Sequence, residues 1–460
     1  MPAIDGSRPQ EPPPVRRRNL RRAAIAWGDL LRQPGFRGLW LAQTVSQVGT
    51  QITFLAMPLV AILALGATPL EVGILGAVDF LPFLLFTLPA GVWVDRLHRR
   101  RILIAADIGR ALVLAVVPIA YLAGVLAMWQ LYVVGFIAGT LTVFFDVGYQ
   151  AFLPELVPRE RLPEGNSRLE VSRSAAQVVG PGLAGVLVGA VTAPLAILVD
   201  AVSYVVSSLF LFRIPASAVR TRAAEDAPRA GFRHEIAEGL RYFAGNVYLR
   251  VTAAAVTVLN FAGQLGFAVY LVFVVRELGL SPAAIGLTVA IGGIGTIVGA
   301  AMAQTIGERL GIGRALMLAC FLFVLATLLV AVAPPALPIP FLVASGLIQG
   351  PGVMIINVNA LSLRQAVTPD PLLGRVNATG RWIAWGTIPI GALVGGILGT
   401  TIGLRETIAV SSLGGLIAIG LLAASPLRTL RRIPTLADPT KDGTLALDPT
   451  STTSAPPTGA

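Results

Sequence analysis

Residues 91–101 read Gly-Val-Trp-Val-Asp-Arg-Leu-His-Arg-Arg-Arg, with a long apolar run on either side. A glycine, one acid and a cluster of arginines between two nearly charge-free segments read as a sharp hinge. So short a loop offers little surface to a large partner. It can, however, hold two membrane helices together at the cytoplasmic face. A carrier that changes which side of the membrane it faces is the expected setting for such a joint.

The rest of the chain fits that setting. Of 460 residues, 55% are hydrophobic and 13% charged, and the mean hydropathy is +0.76, outside the range of soluble globular chains. A membrane-spanning helix takes about 20 mostly apolar residues. Candidates lie at 38–65, 71–94, 102–123, 129–149, 169–190, 194–212, 249–275, 283–306, 314–333, 338–361, 375–402 and 406–425. The runs are continuously apolar and do not alternate, so helices are expected, not barrel strands. The fold class is therefore an all-α integral membrane protein with twelve transmembrane helices.

The net charge of +11 could suggest nucleic acid, but its distribution argues against that partner. Nearly all arginines fall in the tails or in loops on the tail side; Arg276 and Arg405 alone fall at the opposite face, and Arg110 and Arg173 lie inside spans. This positive-inside bias places both termini in the cytoplasm. The cluster at Arg16–Arg22 reads chiefly as a topology signal that can also touch anionic lipid heads. The proline- and arginine-rich first 36 residues carry no apolar core of a signal peptide. One cysteine, Cys320, excludes an internal disulfide, and His98 and His234 have no metal-ligand spacing. No metal, cofactor or enzymatic constellation is expected.

A repeat divides the chain. A shift of 213 lays Pro69, Val72, Gly73 and Ile74 over Pro282, Ile285, Gly286 and Leu287, and Asp95-Arg96-Leu97 over Glu308-Arg309-Leu310. A shift of 210 matches Leu162 to Leu372, Gly185 to Gly395 and Gly189 to Gly399. The expected organisation is a basic disordered tail (1–36), a six-helix half (37–212), a linker (213–248), a second six-helix half (249–427) and a disordered tail (428–460). In the linker, Phe232, Ile236, Leu240 and Phe243 are spaced for an amphipathic helix on the inner membrane surface.

Two repeated six-helix halves with this charged loop between the second and third spans resemble the major facilitator superfamily. Its loop pattern, Gly-x-x-x-Asp-Arg-x-Gly-Arg-Arg, is met at Gly91, Asp95, Arg96, Arg99 and Arg100 and broken at His98. In the fifth span, Gly180-Pro181 and Gly185 resemble the superfamily's antiporter element, with Ala184 in place of one glycine. The stretches 144–158 and 373–377 look like the bacterial branch holding macrolide efflux proteins and the enterobactin exporter. The resemblance implies the major facilitator fold and a gating role for the charged loop, with Glu308 and Arg309 as its second copy.

Candidate functional residues follow. Acids inside spans are rare and usually functional. Asp79 lies about 24 Å before Asp95 along a helix, and Asp146 towards the inner end of the fourth span, which makes both proton-coupling candidates. Asp107 with Arg110, and Glu170 with Arg173, are spaced i, i+3 for structural ion pairs; Asp200 reads as a hydrogen-bonding acid or a proton carrier. Gln43, Gln47, Thr50 and Gln51 fall near one face of the first span, Asn260 and Gln264 in the seventh, Asn357 in the tenth; these are substrate-cavity candidates. Lys441 is the sole lysine and no phosphate-binding loop is present, so energy must come from an ion or substrate gradient. The expected function is proton-coupled efflux of small amphiphilic molecules by a monomer whose partners are substrate, protons and membrane lipids. A proton-coupled importer is the alternative, and a non-transporting sensor a more remote one.

Overall fold

The computed structural model describes residues 30–215, 217 and 232–430. The Arg16–Arg22 cluster, the tails before residue 30 and after residue 430, and most of the linker before Phe232 lie outside the described residues. Twelve helices are long and apolar enough to cross a membrane. In the first half these are α1 (Pro34–Leu59), α2 (Pro69–Arg96), α3 (Arg99–Leu122), α4 (Met128–Leu156), α5 (Leu162–Val191) and α6 (Ala193–Phe212). The linker helix α7 (Phe232–Gly245) leads to α8 (Val247–Arg276), α9 (Pro282–Leu310), α10 (Ile312–Ala331), α11 (Pro338–Ala366), α12 (Asp370–Gly386), α13 (Ile388–Thr401) and α14 (Leu404–Ala423).

The repeat is visible in the way equivalent helices begin. Thr68 caps α2 by accepting the Glu71 N–H, Ser281 caps α9 by accepting the Ala284 N–H, and each is followed by a proline at the first helical position. The eleventh expected span is instead two helices broken at Thr387. Pro389 has no N–H to continue the ladder, which frees carbonyls just before it. Asn260 of α8 donates to Ala384 O, next to the break, at 2.9 Å, and the Thr387 hydroxyl reaches the same oxygen at 3.3 Å.

Helix direction separates a linker face, where α6 ends and α8 begins, from an opposite face. Side-chain packing differs sharply between them. One buried cluster runs through both halves near the opposite face, joining Leu55, Val72 and Ile197 to Val269, Phe273 and Ile285. Towards the linker face the core splits in two. Phe36, Leu103 and Phe152 belong to a first-half cluster, and Leu249, Leu316 and Leu363 to a second-half cluster. The halves are thus closed together at one end and parted at the other.

Three features hold the closed end. Gly185 of α5 and Gly286 of α9 meet backbone to backbone; a Cβ on Gly185 would stand 2.8 Å from the Gly286 Cα. Gly73 of α2 and Gly396 of α13 repeat the contact, a Cβ on Gly73 standing 2.7 Å from the Gly396 Cα. Such approach is what small residues permit between membrane helices. Arg276, at the end of α8, donates to Gly66 O at 3.0 Å and Ala67 O at 2.7 Å in the turn between α1 and α2. That turn follows a π-helical segment, Val60–Ala64, and bends through Gly66 at φ 65°, a conformation glycine adopts without strain.

Candidate functional site

The 91–101 segment is not a glycine hinge. Helix α2 runs through Gly91 to Arg96, α3 starts at Arg99, and only Leu97 and His98 form the turn. A Cβ on Gly91 would meet nothing within 4 Å, so neither space nor backbone conformation demands glycine there. The arginines sit at a helix N-terminus, which disfavours positive charge, and two of them have compensating partners. Arg99 pairs with Glu155 of α4. Arg100 donates to Leu211 O at 3.0 Å and to Phe212 O, carbonyls of the last turn of α6. The loop therefore ties α3 to α4 and α6. The side chains of Asp95 and Arg96 lie outside the described residues. In the second copy, Glu308 and Arg309 are exposed, and Glu308 accepts from Gln304 of its own helix at 2.8 Å.

The first half encloses a charged network. Asp107 and Arg110, both buried, form an ion pair, and Ser207 of α6 donates to Asp107 at 2.6 Å. The Arg110 guanidinium lies over the rings of Phe145 (4.3 Å) and Tyr204 (4.1 Å). Its Nε has no hydrogen-bond partner, so the ring faces supply part of its stabilisation. The Tyr204 hydroxyl meets Thr50 Oγ1 at 2.8 Å, and Asp200 accepts from Thr53 at 2.5 Å and Ser203 at 3.0 Å. Asp146 is half-buried on α4, within electrostatic reach of Arg110, Arg173 and, from the second half, Arg381. Asp79 is half-buried at the α2–α4 contact, where Gly135 leaves room for its carboxylate. Glu170 and Arg173 pair at 2.7 Å but are exposed by 58% and 47%, too open for the pair to add much.

The amide candidates do not form one stripe. Gln43 and Gln47 line a polar cleft of about 370 Å³ with Tyr149, Asn166, Glu170 and Arg173. Thr50 turns to Tyr204, and Gln51 packs on Gly180 of α5, whose missing side chain makes room for it. Asn260, Gln264 and Asn357 instead share a cavity of about 300 Å³ in the second half. Gln264, Phe323 and Gln349 also line an adjoining cavity of about 480 Å³, so the two form one chamber. Its wall includes Gln177 of α5, from the first half, and Phe267 of α8, which stacks on Phe54 of α1 across the halves at 5.4 Å. Gln177 and Gln349 were not singled out from the sequence; lone glutamines in apolar helices carry no spacing signal.

The linker helix docks on α12. Glu238 pairs with Arg375, the Tyr242 hydroxyl donates to Val367 O at 2.5 Å, and Phe243 is buried. Leu240 points away and is 48% exposed; the side chains of residues 232–237 lie outside the described residues. Among the described residues no group of three His, Cys, Asp or Glu is placed to hold a metal ion.

Known proteins were compared with this chain. A sequence-family model described as Major Facilitator Superfamily matches residues 39–381 and 253–449. The multidrug efflux pump Tap of Mycolicibacterium fortuitum is 28% identical over 398 residues, covering 83% of this chain and 93% of Tap. YfiS of Bacillus subtilis (strain 168), described as an uncharacterized transporter of the same type, is 26% identical over 270 residues, 59% of this chain and 64% of YfiS. Macrolide efflux protein A of Streptococcus pyogenes is 27% identical over 207 residues, 45% of this chain and half (50%) of that protein. The fold is shared with the inward-facing crystal structure of a bacterial homologue of the iron transporter ferroportin, at TM-score 0.65 and 20% identity over 84% of this chain and 97% of that one.

Proposed function

The chain belongs to the major facilitator superfamily of transporters, and from that premise we propose that it exports small amphiphilic molecules from a bacterial cell in exchange for protons. The linker face is then cytoplasmic, and the protein is a multi-pass protein of the cell membrane. The structure corresponds to the state open to the cytoplasm.

The observation that carries this reading is the division of chemistry between the halves. The chamber walls hold no carboxylate, arginine, lysine or histidine, whereas the first half buries Asp107, Arg110 and Asp200 and half-buries Asp79 and Asp146. Proton and cargo therefore meet through the movement of the halves and not by direct competition. Efflux is supported by the relation to Tap along nearly its whole length.

Asp146 supplies a coupling step with a definite sign. Ionised, it attracts Arg381 of α12 and draws the halves together at the linker face. Protonated, it no longer offsets the charge of Arg381, and the linker face opens. A proton taken up from outside thus favours the inward-open state; its release into the cytoplasm, with cargo bound, favours the return. This is the order an antiporter requires. Asp79 is the second candidate carrier.

Single Asp79→Asn and Asp146→Asn variants in proteoliposomes test the assignment. At least one loses export driven by an imposed pH gradient while keeping downhill movement of substrate. Full gradient-driven export by both refutes it. Susceptibility of cells with and without the protein to a panel of drugs and metabolites would narrow the cargo.

A further inference from the structure

We propose that the second-half chamber is a binding site for uncharged ligands bearing aromatic rings and hydrogen-bonding groups, and that Gln177, Gln264 and Gln349 set its specificity. This rests on the reading of the chamber as the substrate path and adds the class of ligand that the path accepts.

The argument begins with what the wall lacks. Of the residues lining the larger cavity, only Tyr270 has an ionisable group; no carboxylate faces a ligand there. A cation entering would shed water with no opposite charge in return, a cost that rises steeply away from solvent. An anion fares no better, for no arginine or histidine lines it either.

The wall is nevertheless polar, in a particular way. The hydroxyls of Thr288, Thr327, Ser345 and Ser411 donate to the carbonyls of Ile285, Phe323, Ala326 and Ile408, at 2.8, 2.7, 2.8 and 2.7 Å. They serve the protein. Gln177, Gln264 and Gln349 line the same cavity from α5, α8 and α11, and among the described residues no hydrogen bond of their side chains is found. Each primary amide presents donors and an acceptor. Three unengaged amides around an uncharged space match carbonyl, ether, amide and hydroxyl groups of a neutral molecule.

Aromatic surface completes the match. Phe267 and Tyr270, both in the wall, stack at 6.5 Å, and Phe54 continues this row of parallel rings behind Phe267 at 5.4 Å. A planar ring of the ligand extends this row. Because Gln177 belongs to the first half, a ligand held by it and by Gln264 touches both moving bodies. Ring faces also attract cations, which is the rival reading of the same wall.

Two probes of similar bulk separate the readings: triphenylphosphine oxide, neutral with one strong acceptor, and tetraphenylphosphonium, a permanent cation. Calorimetric titration of the full-length protein in nanodiscs is expected to show the oxide binding at least about 10-fold more tightly. At least one of Gln177→Leu, Gln264→Leu and Gln349→Leu weakens the oxide by about 3- to 10-fold, the loss of one net hydrogen bond. Gln264→Glu, measured at pH 8, turns the preference towards the cation, a gain that misfolding cannot produce. Equal or tighter binding of the cation to the unmodified protein overturns the proposal. So does binding of neither probe, or oxide affinity unchanged in all three leucine variants. If pH-driven transport survives such a result, only the ligand class falls. If the preference stands while transport ignores the pH gradient, only the coupling reading falls.

Discussion

Replacing Arg276 with glutamine tests how the closed face is held. The guanidinium donates to Gly66 O at 3.0 Å and Ala67 O at 2.7 Å, reaching from α8 to the first half. Both are charge-assisted, but Arg276 is largely solvent-exposed, which reduces each to about 0.5–1 kcal/mol net. Together they favour closure by about 1–2 kcal/mol, a factor of roughly 5–30 in the ratio of closed to open states. Spin labels at Leu122→Cys on α3 and Leu337→Cys before α11, in a Cys320→Ser background, report that ratio as a distance distribution. Both sites are exposed at the opposite face, in different halves, and Cys320 is buried. The Arg276→Gln variant is expected to enlarge the long-distance population by that factor. An unchanged distribution means that the glycine contacts and the shared core close this face without the arginine.

Other outcomes follow from the same geometry. Arg110→Gln leaves Asp107 buried and uncompensated and costs about 3–5 kcal/mol, read as a large drop in thermal unfolding temperature in detergent, whereas Arg173→Gln at its exposed pair costs less than about 1 kcal/mol. Equal losses would show that Asp107 is not held by Arg110. Gly286→Ala puts a Cβ 2.8 Å from the Gly185 Cα, and neither backbone can yield; the label pair above should shift to longer distances with transport reduced, and wild-type transport would show that the contact is not needed. Asn260→Leu removes the shorter of two hydrogen bonds to Ala384 O at the α12–α13 break, leaving the Thr387 hydroxyl at 3.3 Å, and costs about 0.5–1.5 kcal/mol of stability in the same unfolding assay; no loss would mean the break supports itself.

Much of the architecture was legible because bilayer-spanning helices must satisfy their own backbone and so advertise themselves as long apolar runs. The α12–α13 break was less so. Pro389 stands in an uninterrupted apolar run, and whether a proline kinks or breaks a helix depends on partners such as Asn260, 124 residues away. The loop at 91–101 was misjudged locally for a related reason: glycine was read as a hinge, while the helix passes straight through it. Spacing revealed the Asp107–Arg110 pair, but not that Ser207 and Tyr204 of α6 complete it. Asp146 could be chosen as an intramembrane acid; that Arg381 of the other half comes within electrostatic reach of it depends on how the halves sit together. The repeat suggested that Glu308 mirrors Asp95, yet equivalence in sequence did not give Glu308 a partner across the halves in this state. Gln177 and Gln349 illustrate the same limit, since convergence of isolated residues is a tertiary property.

Coupling is tested most directly in proteoliposomes containing a pH-sensitive dye, with a substrate gradient directed inward and no initial pH difference. Exchange predicts that the lumen becomes alkaline as substrate enters, because protons leave against it, and that Asp146→Asn or Asp79→Asn abolishes the change. Acidification would make the protein an importer that carries protons with its cargo. Substrate entry with no change in internal pH would contradict proton coupling altogether.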